Sequence, residues 1–387
     1  MNANRGPDGA LAVRKQHTGR LIALPSQRRT DLDEHLARVD AVLAEVIADL
    51  SELWASLPGA ERGGTEILGS SDLPAFIGAL IDSGGKRLRP MMAYLGWLAG
   101  GGVSRGVGLR EVIRVGAALE LLHLFVLVHD DVMDESASRR GRPTVHIQAE
   151  RLHKAAGGSG SGRRFGESIA VLVGDLAHAE AGNLVSDLPA PLRRIWRTLV
   201  AELVAGQRHD LIGSAVGRRD LHYARTVARM KSGRYTVERP LELGAAAAGA
   251  AAEITATLAA YGQAVGEAFA LRDDLLGIWG DPLRTGKPAG DDLTSGKPTV
   301  ILALAHQQLR SPAARKSLDK VGSAAFGPGD LVLLQQELQE SGIVASVEKM
   351  ITGNVDTAVS ALAARDLDPI GVEHLTRMAR QIAWRDR

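Results

Sequence analysis

This chain should fold as an all-α protein, a single large bundle of helices around a central cavity. Three observations predict it: apolar residues recur at spacings of three and four along most of the chain, aromatic residues make up only 4% of it, and alternating β-branched runs are lacking. With 387 residues, 45% of them hydrophobic, there is ample material for a large core.

Residues 1–30 are rich in Gly, Arg, Asn and Gln with little periodicity, and are expected to form a disordered tail outside the fold. From Asp31 to Leu57 the stripe Leu36, Val39, Val42, Leu43, Val46, Ile47 and Leu50 predicts the first helix, capped by Asp31 or Asp33. The same periodicity predicts helices over 72–82, 89–99, 109–135, 166–186, 189–214, 219–231, 236–249, 251–277 and 297–309. The stretch AAGGSGSGRR (155–164) reads as a flexible insertion between two helices, and 322–330 as a second break. The expected organisation is one domain over 31–310, with a C-terminal helical extension of the same domain over 311–387. The apolar face from 109 to 128 suits either core or a subunit interface.

Lys and Arg (46) nearly balance Asp and Glu (45), so no global field recruits nucleic acid, and charge chemistry must be local. The absence of cysteine excludes disulfides, thiolate catalysis and Cys-ligated metals, and fits a cytoplasmic protein. No secretory signal pattern opens the chain, and its apolar stretches read as too short for a transmembrane segment.

Against that background LFVLVHDDVMDESASRRGRPTVH (124–146) stands out. An apolar run enters three carboxylates, Asp130, Asp131 and Asp134, and then a pair of arginines, Arg139 and Arg140. On a helix Asp130 and Asp134 share a face, while Asp131 points about 100° away. Like charges at that spacing repel unless a cation bridges them. With oxygen ligands the cation is a hard one, and Mg²⁺ fits because it takes one or two carboxylates, keeps water and accepts substrate phosphate. AFALRDDLLGIWGD (268–281) repeats the arrangement with Asp273 and Asp274. Basic residues flank both as candidate anion ligands: Lys86, Arg87 and Arg89 in SGGKRLRP, Lys231 (followed by Ser232) in MKSGRYT, and Lys287 and Lys297 in RTGKPAGDDLTSGKPT. Two acidic sites, several anion sites and an apolar interior call for a substrate with diphosphate at one end and hydrocarbon at the other. A nucleotide is disfavoured because no G-x-x-x-x-G-K-[ST] loop is present.

GGKRLRP, HDDVMD followed by RRGRPTVH, GD at 174–175, GQRHD (206–210), KSGRYT, RDDLLGIWGD and TGKPAGDD occur in one order between Leu73 and Leu304. In that order they resemble the trans-isoprenyl diphosphate synthases of the polyprenyl synthetase family, geranylgeranyl diphosphate synthases most of all. The resemblance implies an isoprenoid-synthase helical fold, an Mg²⁺-dependent prenyltransferase acting on isopentenyl diphosphate and an allylic diphosphate, and a homodimer. It implies that Asp130, Asp134 and Asp273 ligate three Mg²⁺, with Asp131 and Asp274 assisting. Arg139, Lys231 and Lys287 would bind the allylic diphosphate. Lys86, Arg89, His123 and Arg140 would hold isopentenyl diphosphate, and Gln207, Asp210 and Ser232 would line the reacting region. Phe125 and Val126, just before the first motif, would floor the product channel and set a C20 product. Two positions depart from the family pattern: Ala270 stands where a glutamine is usual, and Gly277 replaces the last aspartate of the second motif. They keep two alternatives in play, a class I terpene cyclase and a catalytically weak partner subunit of a prenyl synthase.

Overall fold

The computed structural model describes residues 26–58, 67–69, 72–102, 108–139, 141–282, 288–363 and 367–385, with side chains from residue 31 onward. Its helices are α1 (Ser26–Ser56), α2 (Leu73–Asp82), α3 (Leu88–Ala99), α4 (Leu109–Met133), α5 (Val145–Ala155), α6 (Gly162–Val185), α7 (Ala190–Ala215) and α8 (Leu221–Val227). A π-helical segment, Ala228–Glu238, leads into α9 (Arg239–Ala248) and α10 (Ala252–Trp279). After these come α11 (Asp291–Thr294), α12 (Val300–Gln308), α13 (Pro312–Leu318), α14 (Pro328–Glu340), α15 (Ile343–Ala363) and α16 (Pro369–Ala383). Among the described residues the only sheet is a two-residue antiparallel ribbon, β1 (Ser138–Arg139) with β2 (Arg142–Pro143). The all-α expectation therefore holds.

α4 is the axis of the bundle. Val112, Val115, Leu119, Leu121 and Leu122 are fully buried against α1, α3 and α6. This assigns the 109–128 face to the core. By length and composition α4 is also apolar enough to cross a membrane, contrary to the sequence expectation, but 61% of its most apolar window is buried among neighbouring helices. The C-terminal helices join the same body: Tyr261 Oη on α10 donates to the Leu375 carbonyl at 2.7 Å, and Arg272 grips Glu348 at 2.7 and 2.8 Å.

Several boundaries differ from the periodicity. α1 begins at Ser26, inside the stretch assigned to the tail. α5 was not anticipated, because its polar face (Gln148, Glu150, Arg151, Lys154) dilutes the apolar pattern. The Gly/Ser stretch shrinks to a turn between Ala155 and Gly162, in which Gly157 and Gly160 take positive φ and the His153 ring meets the Ser159 carbonyl at 3.0 Å. The two helices expected over 219–231 and 236–249 are one continuous run, because the π-helical turns carry the backbone through Ser232 and Gly233.

His35 on α1 is only 2% exposed and stacks on Tyr94 with ring centroids 4.5 Å apart. Burial, helped by the Arg38 charge, lowers its pKa from 6.5 to about 4. The folded state thus keeps His35 neutral where the unfolded chain protonates it. Its contribution is complete above pH 6.5 and is lost as pH falls toward 4, a loss of about 3 kcal/mol. His35→Phe, which keeps a ring against Tyr94, should flatten the fall in unfolding free energy between pH 7 and 5. An unchanged slope would remove His35 from the acid response.

Candidate active site

Asp130, Asp131 and Asp134 sit at the C-terminal end of α4, where the helix dipole already disfavours negative charge, so the cluster requires cations. Three surround it, two lysines brought from distant segments and an arginine from the ribbon that follows α4. Lys231 Nζ donates to Asp130 Oδ1 at 3.0 Å and to Asp210 Oδ2 at 2.5 Å. Lys297 Nζ donates to Asp134 Oδ2 at 2.7 Å and lies 3.9 Å from Asp292. Arg139, at the end of β1, clasps Asp131 through Nε at 2.9 and 3.0 Å and Nη2 at 2.7 Å, with Nη2 3.7 Å from Asp130. Asp131 is therefore the buried partner of an arginine, while Asp130 and Asp134 meet lysines on the adjoining face, as the helical spacing requires.

Burial pulls both lysines toward neutrality, but the carboxylates outweigh it and hold them above the ordinary lysine value. For Lys231 these are Asp130 and Asp210, and for Lys297 they are Asp292, Asp134 and Asp130. Both remain cations at any working pH. Removing every carboxylate around one of these lysines would strand a buried cation at a cost of about 3–5 kcal/mol, whereas losing one of the two around Lys231 leaves it paired.

Lys231 and Ser232 lie on the π-helical segment, which packs closely on α7. At Gly206 a Cβ would fall 2.6 Å from the Lys231 backbone nitrogen, so glycine is needed for this approach. Glu202 on α7 fastens the far end by ion pairs to Arg234 and to Arg239, the latter at 2.9 Å. α7 thereby aims Gln207 and Asp210 at the same spot, with Gln207 Nε2 donating to Asp130 Oδ1 at 3.2 Å. Gln207 Oε1 is buried without a hydrogen-bond partner among the described residues. An orphaned acceptor beside the aspartates suits the water shell of a bound Mg²⁺.

The second acidic stretch divides its roles. Asp273 is exposed near the end of α10 and is paired with Arg385, whose guanidinium also lies 3.9 Å over the Phe269 ring. Asp274 turns inward and accepts the backbone N–H of Val300 at 2.9 Å, at the start of α12. Burial, together with the Asp292 charge, raises its pKa well above the carboxylate norm. Ala270 is buried in the core. Gly277 has a specific reason to be glycine: a Cβ there would fall 1.9 Å from Asp292 Oδ2. The space that a side chain at 277 would need is taken by a carboxylate from α11. Restoring the usual aspartate, Gly277→Asp, should therefore destabilise the protein by about 2 kcal/mol and lower activity, through overpacking and charge repulsion. The double variant Gly277→Asp with Asp292→Gly should recover stability in denaturant unfolding. Gain of activity in the single variant would contradict this account.

Two turns before Asp130, on the same face of α4, His123 Nδ1 and the Tyr235 hydroxyl are 3.0 Å apart, and Arg89 lies 4.2 Å over the Tyr235 ring with Nη2 donating to Thr236 at 3.2 Å. Arg89 Nε is a buried donor without a partner among the described residues, which suits an incoming anion. Lys86 is half-buried in the loop before α3. Its neighbour Arg87 is structural: it takes a left-handed backbone (φ 50°) and is held by Glu120 at 2.7 Å and Asp40 at 3.0 Å. Arg140 and Lys287 lie outside the described residues. Phe125 and Val126 are half-buried, while Leu121, Leu122 and Leu124 are buried. Phe125 packs between His129 (4.6 Å) and His178 of α6 (4.8 Å).

Sequence reasoning named Lys297 as a flanking basic residue without giving it a role, and left Asp292, Tyr235, Thr236 and Arg385 out of the site. Lys297 and Asp292 carried a signal in GDDLTSGK; Arg385, 112 positions from Asp273, carried none.

A family model described as polyprenyl synthetase matches residues 71–327. The chain is 31% identical over 293 residues to a geranylfarnesyl diphosphate synthase of Aeropyrum pernix, covering 73% of this chain and 85% of that one. It is 32% identical over 302 residues to a geranylgeranyl diphosphate synthase of Mycobacterium tuberculosis, covering 76% and 79%. Among solved structures, a geranylgeranyl pyrophosphate synthase from Corynebacterium glutamicum, complexed with isoprenyl diphosphate and magnesium, superposes with a TM-score of 0.79 at 33% identity. That match covers 94% of this chain and all of the other.

Proposed function

The chain belongs to the polyprenyl synthetase family, and for this isoprenyl diphosphate synthase we propose that it condenses isopentenyl diphosphate head-to-tail with an allylic diphosphate to give geranylgeranyl diphosphate, C20. The observation that carries the reading is a pair of orphaned buried atoms, an acceptor (Gln207 Oε1) beside Asp130 and a donor (Arg89 Nε) beside Tyr235. They suit a hydrated cation on one side and an anion on the other.

Asp130, Asp134 and Asp273 would hold Mg²⁺, three ions with the allylic diphosphate bound. When bound, these ions act as Lewis acids on the leaving diphosphate. Lys231, with Arg139 and Lys287, adds fixed positive charge where negative charge grows as the allylic carbon–oxygen bond breaks. Lys86, Arg89, His123 and Arg140 orient isopentenyl diphosphate so that its double bond attacks the allylic carbon. Ser232 and Gln207 line the reacting region, and the packing of α7 on the π-helical segment helps to exclude water that would quench the cation. The released diphosphate accepts the proton that restores the alkene. Phe125 and Val126 would close the channel one to two turns below Asp130, Phe125 backed by the His178 ring. The same reading makes the enzyme a homodimer, with Val171 and Leu172 of α6, 40% and 49% exposed, supplying an apolar face.

The test is incubation with Mg²⁺, isopentenyl diphosphate and, separately, dimethylallyl, geranyl and farnesyl diphosphates, followed by chromatography of the dephosphorylated products. A C20 alcohol is expected. A main product of another length would overturn the chain-length assignment. Absence of condensation in folded protein would point to a cyclase or a partner subunit.

A further inference from the structure

We propose that Glu202 of α7 is a positioning residue of the reaction, holding the π-helical segment in the register that delivers Lys231 to Asp130. Arg234 and Arg239 are five residues apart, and on an α-helix they would point about 140° away from each other. Both nevertheless meet the Glu202 carboxylate. Arg234 reaches it through Nη1, and Arg239 through Nε and Nη2 at 2.9 Å each. Convergence of this kind needs i→i+5 turns, which return residues five apart to nearly the same side.

The α10 side of the segment shows the same spacing independently. Gly262 and Gly266, four apart on α10, lie against Glu238 and Gly233, which are five apart. A Cβ on Gly262 would fall 2.9 Å from the Glu238 Cα, and one on Gly266 would fall 2.9 Å from the Gly233 carbonyl oxygen. On the α7 side the contact runs along one ridge, Glu202, Gly206 and Asp210, at spacings of four. Gly206 admits the backbone of Met230 and Lys231, and Asp210 accepts from Lys231 Nζ at 2.5 Å. Gly206 and Asp210 thus fix where Lys231 arrives, while Glu202 fixes how many residues the chain uses to get there.

Glu238 lies 3.5 and 4.0 Å from the two guanidinium groups, but its Oε2 makes no hydrogen bond among the described residues, so the grip belongs to Glu202. Because π turns are rare and need tertiary support, loss of that grip lets the segment relax toward α. Each turn so relaxed moves the residues before it by about one position, roughly 100° and 1.5 Å, which takes Lys231 off Asp130. Glu202 therefore acts on the chemistry only through Lys231. The inference rests on the role given to Lys231 above.

Glu202→Gln, which keeps the side-chain shape and removes its charge, is compared with wild type in turnover and in amide hydrogen exchange, well below the unfolding temperature. Turnover should fall about thirtyfold or more, and exchange over 228–238 should speed up while the rest of α7 exchanges as before. Glu202→Asp, which keeps the charge, should stay within about fivefold of wild type. In a Lys231→Gln background the further loss from Glu202→Gln should shrink below about threefold, because the group it positions is gone. Should Glu202→Gln not fold, Arg234→Gln, which leaves Arg239 on the carboxylate, takes its place with smaller changes of the same kind expected. The full loss repeated on top of Lys231→Gln, lost turnover with unchanged exchange, or wild-type turnover in Glu202→Gln would each overturn the proposal. Exchange is read without substrate, so a wild-type chain that does not condense would count against the function proposed above, while the exchange result would still decide the register.

Discussion

Asp130→Asn is expected to lower turnover by about a thousandfold or more and to shift the Mg²⁺ dependence to higher concentration. Asparagine keeps the shape of the side chain and removes its charge, so the change isolates electrostatics from packing. In the free protein Lys231 retains Asp210 as its partner, and Asp130 lies at a helix C-terminus beside other carboxylates. Folding stability should therefore move by about 1 kcal/mol or less, since loss of the Lys231 contact is offset by relief of repulsion. The measurement is turnover against Mg²⁺ concentration, alongside denaturant unfolding. Near wild-type turnover with an unchanged Mg²⁺ curve would exclude Asp130 as a metal-binding carboxylate. A large loss of stability would instead mark it as a structural ion-pair residue.

Phe125→Ala is expected to lengthen the main product from C20 to C25 or beyond, while total turnover changes by less than about tenfold. The deleted ring is about the size of one five-carbon unit, and a half-buried aromatic is replaced without disturbing the fully buried Leu121, Leu122 and Leu124. Phe125 packs on His129 and His178, and among the described residues neither histidine forms a hydrogen bond or ion pair with Lys231, Lys297 or Arg139. Chemistry and chain length should thus separate in the product profile. If the product stays at C20, His178→Ala becomes the decisive variant, because its ring stands directly behind Phe125. An unchanged product in both would place the floor elsewhere.

The sequence made the three- and four-residue periodicity, the paired aspartates and their spacing directly legible, because each depends on neighbours within a few turns of one helix. On that basis the all-α class and the sharing of a face by Asp130 and Asp134 could be read in advance. Other features were hidden for definite reasons. α5 escaped because a short, largely polar helix has a weak apolar stripe. The π-helical segment escaped because its register depends on the close packing of Gly206 and the ion pairs of Glu202. Arg87 looked like an anion ligand in GGKRLRP, and only its contacts with Glu120 and Asp40 show it to be a brace.

The sequence by itself thus determined the class of fold, the family and the inventory of charges available for catalysis. The tertiary structure decided which charges meet: Arg139 with Asp131, Lys231 with Asp130 and Asp210, Lys297 with Asp134, Arg385 with Asp273, and the Asp292 carboxylate against Gly277. The physical reason is range. Helical periodicity is set by backbone geometry within a few residues, whereas Lys297 and Asp134 are separated by 163 positions and adjoin only after the intervening helices have packed.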